Sequence, residues 1–146
     1  MQFVVSGLEM GQQVVALAGP GCLKDLARSL TESGLKTETL LRNGRLVFLT
    51  APDCLAQLAD PQQITQRGPL RHASSLIRWV TDWSWAYANG TDSATILGYQ
   101  RIVHDFVRSL TAVSMCTVQC KESARGSLLA MLADHRRAAR TVKLPA

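Results

Sequence analysis

The residues that promise chemistry cluster near the middle of the chain. Trp79, Trp83 and Trp85, the only three tryptophans, fall within seven positions of one another around one acid, Asp82. Asp82 closes the apolar run Leu76–Asp82, the place where a nucleotide hydrolase keeps a metal-binding carboxylate. An acid among indoles suits a pocket for a small organic molecule, since such pockets are mostly apolar with a few placed polar groups. The plainer alternative has Trp83 and Trp85 packing over a sheet edge while Asp82 caps a backbone turn. Cys116, in the apolar stretch Ala112–Val118, either joins that pocket or serves as a small buried hydrophobe. Asp82, Trp83, Trp85 and Cys116 are the candidate ligand-binding residues.

Other chemistries find less support. The four cysteines include no Cys-x-x-Cys pair, and His104 and His135 are not spaced as zinc ligands around Cys116 and Cys120, so no metal site is expected. Cys120 stands beside Lys121, whose charge favours a thiolate, which makes it the redox candidate. His72, His104 and His135 assemble into no Ser/His/Asp or Cys/His set, so no catalytic residue is assigned. Gly19-Pro20-Gly21 resembles a phosphate loop, but G-x-x-x-x-G-K-[ST] occurs nowhere in the chain. Gly19-Pro20-Gly21 therefore reads as a strand-to-helix turn, and no cofactor is expected.

The elements that must position these residues follow from apolar patterning. Gln13–Ala18, Arg45–Thr50, Leu76–Asp82 and Ala112–Val118 are short, continuous apolar runs, the pattern of strands buried on both faces. Between the first two, Leu23, Leu26, Ala27 and Leu30 share a helix face, Gly34 stops the helix and Asn43-Gly44 turns the chain. Between the last two, Asp92 or Ser93 caps a helix whose stripe is Ile96, Tyr99, Val103, Phe106, Val107 and Leu110. Pro52, Pro61, Gly68 and Pro69 leave room only for short helical pieces across 51–70. A last helix runs from about Ser123 to Arg140 with Leu128, Leu129, Met131 and Leu132 inward. Strands separated by helices predict an α/β fold: a mostly parallel sheet of about four strands flanked by helices. Residues 1–140 make one domain and 141–146 a disordered tail.

Composition bounds the setting. Of 146 residues, 47% are apolar and 18% charged, enough to bury a core. No apolar run spans a membrane and no secretory signal opens the chain, so a soluble cytoplasmic protein is expected. The net charge is +5, and its excess sits in residues 121–146, which hold six basic and two acidic residues. That basic end reads as a solvated helix face, with nucleic-acid contact the lesser alternative.

The order FVVSGLEMGQQVVALA, LARSLTESGL, NGRLVFLTA, LIRWVTDWSWAYANG, LGYQRIVHDF, SMCTVQC and LLAMLADHR resembles the MEDS domain. That domain is a sensory module of methanogen and methylotroph signalling proteins and of a dichloromethane-responsive regulator, and is similar to a degenerate KaiC/RecA-type core. The resemblance covers about residues 1–137. It implies a three-layer RecA-like core without its first strand, the chain starting inside the helix that follows, at about Phe3. Gln100 stands where a Glu is common and His104 where an Asn is common. The resemblance implies a non-catalytic sensory or regulatory module that takes a small organic ligand or a signalling protein, a histidine kinase or response regulator, at the strand carboxyl ends. A KaiC-like nucleotide binder or weak ATPase is the runner-up, and a nucleic-acid-associated regulator using the basic C-terminal helix the third reading. With the opening strand missing, the edge of Ala112–Val118 is expected to be covered by Met1–Val5 or by a second copy, giving a homodimer.

Overall fold

The computed structural model describes residues 1–51, 53–55, 76–118 and 133. Their elements run α1 (Gln2–Glu9), β1 (Gln13–Ala18), α2 (Pro20–Glu32), α3 (Thr37–Arg42), β2 (Leu46–Thr50), β3 (Ile77–Asp82), α4 (Ser84–Ala88), α5 (Ser93–Arg108) and β4 (Ala112–Thr117). The strands form one sheet in the order β2-β1-β3-β4, and every pairing is parallel. The fold is α/β, as expected. The segment 56–75, Cys120 and the helix expected over 123–140 lie outside the described residues, apart from Ala133.

Side chains alternate between the two faces of each strand. On one face, Val15, Leu17, Val47, Leu49, Ile77 and Trp79 meet Val103, Phe106 and Val107 of α5. The Trp79 and Phe106 rings pack at a centroid distance of 5.6 Å, and the Trp79 indole N–H donates to Thr81 Oγ1 at 2.8 Å. On the other face, Val14 and Leu46 meet Val4 and Leu8 of α1 and Leu30 of α2, with Leu40 of α3 beside them. Helices therefore cover both faces, which is why the strands read as continuous apolar runs.

Local chemistry sets the helix ends. Pro20 occupies the first turn of α2, where a missing N–H costs nothing. Gly34 takes φ +85° after α2, a conformation open to glycine. Asp92 caps α5 by accepting from Thr95 N at 3.0 Å. Met1–Val5 does not lie along the edge of β4. Val4 packs into the face cluster with Val14 and Leu46, because α1 is an amphipathic helix and buries its apolar stripe. Arg78 of β3 secures it: Nη1 donates to Phe3 O at 3.0 Å and Ser6 Oγ at 2.8 Å, and Nε to Gln12 Oε1 at 2.6 Å. Its guanidinium stands 5.0 Å from the Phe3 ring centroid, and Arg45 adds a bond to Leu8 O.

Candidate functional site

The strand order fixes where a site can form. The chain leaves β1 toward β2 on one side and β3 toward β4 on the other, so the order reverses between β1 and β3. Open parallel sheets bind ligands in the crevice outside the strand carboxyl ends at such a point. Ala18 and Asp82 end those two strands. A cavity of about 160 Å³ lies on the α1/α2 face here, lined in part by Val4, Ala16, Ala18, Cys22, Val80 and Asp82. Ala16 and Ala18 leave room because their side chains are short. Cys22 is exposed, so the cavity reaches solvent there.

Asp82 bears the only charged side chain in that lining. Its Oδ1 accepts from Ser84 Oγ at 2.7 Å and faces Thr117 Oγ1 at 3.2 Å. Its Oδ2 accepts from Ser84 N at 3.2 Å. All these partners are neutral donors, and among the described residues no cation pairs with Asp82. The Cys22 thiol lies against the carboxylate. Its pKa is raised from 9.0, first by partial burial, then by the charges of Asp82 and Asp25 and by the hydrogen bond to Asp82. Cys22 is therefore a protonated thiol at neutral pH and a weak nucleophile.

The four candidates from the sequence do not share one surface. Asp82 faces the cavity. Trp83 is 1% exposed and belongs to the core on the α5 side. Cys116 pairs in register with Thr81, so its side chain also lies on the α5 face. Its thiol pKa is raised by desolvation, with the Trp83 side chain opposing the rise. Trp85 bridges the two halves: its ring stacks on Tyr99 at 6.3 Å and lies 6.5 Å from Trp83. A Cβ built at Gly19 would sit 2.8 Å from Trp85 Cβ, so glycine is needed there for the approach. On the same side, Trp85 Nε1, Gln100 Nε2 and His104 Nε2 are buried without hydrogen-bond partners among the described residues. Gln100 is buried in the α5 stripe, a polar position the apolar pattern did not reveal.

Cys22, Ser84 and Thr117 were not read from the sequence as site residues. The signal for Cys22 was its place in the first turn after a strand. That for Ala16 and Ala18 was two small residues on one face of β1. His72, His135, Cys120 and Lys121 lie outside the described residues. Among those described, no three His, Cys, Asp or Glu residues are grouped to hold a metal ion, and no helix is long and apolar enough to cross a membrane. In comparison with known proteins, the chain matches no family model and no curated sequence.

Proposed function

We propose that the chain is a non-catalytic sensory or regulatory module that binds a small organic molecule at the carboxyl ends of β1 and β3. The observation that carries this reading is the cavity at the switch point, with apolar walls and one carboxylate. Its polar groups are held by one another: Asp82 is held by Ser84 and Thr117, and the Cys22 thiol is kept protonated. Such a set orients a ligand without offering it an activated nucleophile. The resemblance to the MEDS domain supports the same reading. The KaiC-like alternative needs amides that cradle phosphates, and the sequence lacks the loop pattern that supplies them.

Thermal-shift measurements with neutral and charged organics of about six heavy atoms test this, that size being what a cavity near 150 Å³ holds. At least one compound should stabilise the chain saturably, and Cys22→Phe, which fills the cavity from its rim, should abolish the response. An equal response in the variant, or none to any compound, overturns the reading. Binding of ATP with magnesium below about 10 μM, worth roughly 7 kcal/mol, favours the nucleotide-binding alternative. A second reading, contact with another copy of the chain, rests on the exposure of β4.

A further inference from the structure

We propose that the cavity between α1, α2 and the carboxyl ends of β1 and β3 takes a small organic cation, an alkylammonium, with Asp82 as its counter-ion. The inference rests on the small-molecule reading above and narrows it to a chemical class.

Three observations converge. First, the walls are apolar: Val4, Ala16, Ala18, Leu26 and Val80 offer contact to a hydrocarbon body but no hydrogen bonds from their side chains. Second, the one charged lining side chain is a carboxylate, which when ionised only accepts. Its four acceptor positions are not filled by charge: Ser84 and Thr117 bring neutral donors, and the thiol of Cys22 is a weak one. Third, no described cation neutralises it, the ion pair between Arg28 and Asp25 being elsewhere on α2. A carboxylate in an apolar cavity favours a cationic partner, because charge-assisted hydrogen bonds are about twice as strong as neutral ones.

Two features of the site work in the other direction. The N-terminal turn of α2 faces the cavity through Cys22 and has no side-chain cap. Its dipole is worth at most about half a positive charge. Asp25 on the same helix adds a negative field at Cys22, together with that of Asp82. Met1, which carries the chain's α-ammonium, also lines the cavity, but no ion pair joins it to Asp82. The volume then limits the guest: about 160 Å³ is close to an engineered apolar cavity of about 150 Å³ that holds benzene. That fits an alkylammonium of about six heavy atoms.

Three probes of matched length and different charge separate the possibilities: pentylammonium, 1-pentanol and pentanoate. Each is titrated into the isotope-labelled chain, and the amide shifts of Ala18, Cys22 and Ser84 are followed. Pentylammonium should shift these amides and bind about tenfold more tightly than 1-pentanol, a difference of about 1.4 kcal/mol, while pentanoate leaves them unmoved. Asp82→Asn should bring pentylammonium down to the level of the alcohol and leave the alcohol unchanged. Should that variant fail to fold, the ranking in the unaltered chain decides alone. Equal binding of alcohol and ammonium, or tighter binding of pentanoate, overturns the cation class and leaves the small-molecule reading standing. Shifts of the same amides by magnesium alone at low concentration, with none by pentylammonium, overturn the class in favour of a metal carboxylate. No shift from any probe overturns both readings.

Discussion

Asp82 and Cys22 show how one charge sets the chemistry of its neighbour. The Cys22 thiol is raised above 9.0 by partial burial and by Asp82 and Asp25. A thiol whose native pKa lies above its unfolded value keeps its proton longer in the folded chain. Its contribution to stability is complete below 9.0 and declines as pH rises past that value, because the unfolded chain then sheds a proton the folded one retains. Alkylation reads the same effect more directly, since the thiolate is the reactive form. At pH 8, Cys22 should react more slowly than an unstructured thiol although the residue is exposed. Asp82→Asn should speed it, by removing both a charge and a hydrogen bond. Peptide mapping after timed alkylation measures both rates, and an unchanged rate in the variant would show that Asp82 does not act on Cys22. Of this pair the sequence revealed only Asp82, through its place at the end of an apolar run. Its separation from Trp83 was also legible in principle, since neighbours in a strand point to opposite faces. The meeting of Asp82 with Cys22 was not, because it depends on β1 and β3 being adjacent.

Among the elements, α1 depends most on a single residue. Val4 and Leu8 bury its apolar stripe, but Arg78 ties it to β3 through Phe3 O and Ser6 Oγ, and the turn that follows it through Gln12. Gly7 lets the guanidinium stem pass: a Cβ there would lie 2.6 Å from Arg78 Cδ. Hydrogen bonds from a charged group contribute about 1.5–3 kcal/mol, so Arg78→Ala should cost about 2 kcal/mol in denaturant unfolding. Amide exchange should quicken in α1 before the rest of the sheet. Arg78→Lys should recover only part, since an ammonium lacks the planar fork that reaches several acceptors at once. Unchanged exchange in α1 would mean that the buried stripe alone holds it. Since α1 carries Met1 and Val4 into the cavity lining, loosening it also opens the candidate site. The four strands were legible because each is a short, largely apolar run between turn and helix signals, β1 and β2 the most continuous and the most buried. Their ends differ from the expectation by one residue at Arg45, Leu76 and Val118. Arg45 O still accepts from Val14 N at 2.8 Å, so that strand end frays in definition more than in bonding. The helices α3 and α4 have six and five residues, too few to show a helical period in the sequence. The strand order was not legible, because no local pattern says which of two apolar runs becomes the neighbour of a third.

At the scale of the whole molecule, the sheet ends unevenly. β2, the other edge strand, keeps its side chains largely buried, Leu46 among the apolar residues around α2 and α3. β4 pairs with β3 on one side and, among the described residues, has no strand on the other. Val113 is 49% exposed, and Ser114, Cys116 and Thr117 are exposed as well. An edge of this kind offers unpaired N–H and C=O groups to an incoming strand, and AVSMCTV carries no charge, proline or glycine to discourage one. We propose that a second copy covers it, the two β4 strands pairing antiparallel about a two-fold axis, since one symmetric pairing satisfies both β4 edges and leaves β2 as the outer edge of each chain. The net charge of +5 on each chain opposes that pairing. Repulsion between exposed charges weakens with salt, the screening length falling to about 8 Å at physiological ionic strength. Light scattering should therefore find a dimer whose population rises with salt across the micromolar range. Val113→Lys places a charge on the edge, the device that natural sheets use against pairing, and should leave a folded monomer. Amides of β4 should be protected from exchange in the unaltered chain and lose that protection in the variant. A monomer at high micromolar concentration with β4 amides already protected would place the cover within the chain itself, and the dimer would be wrong.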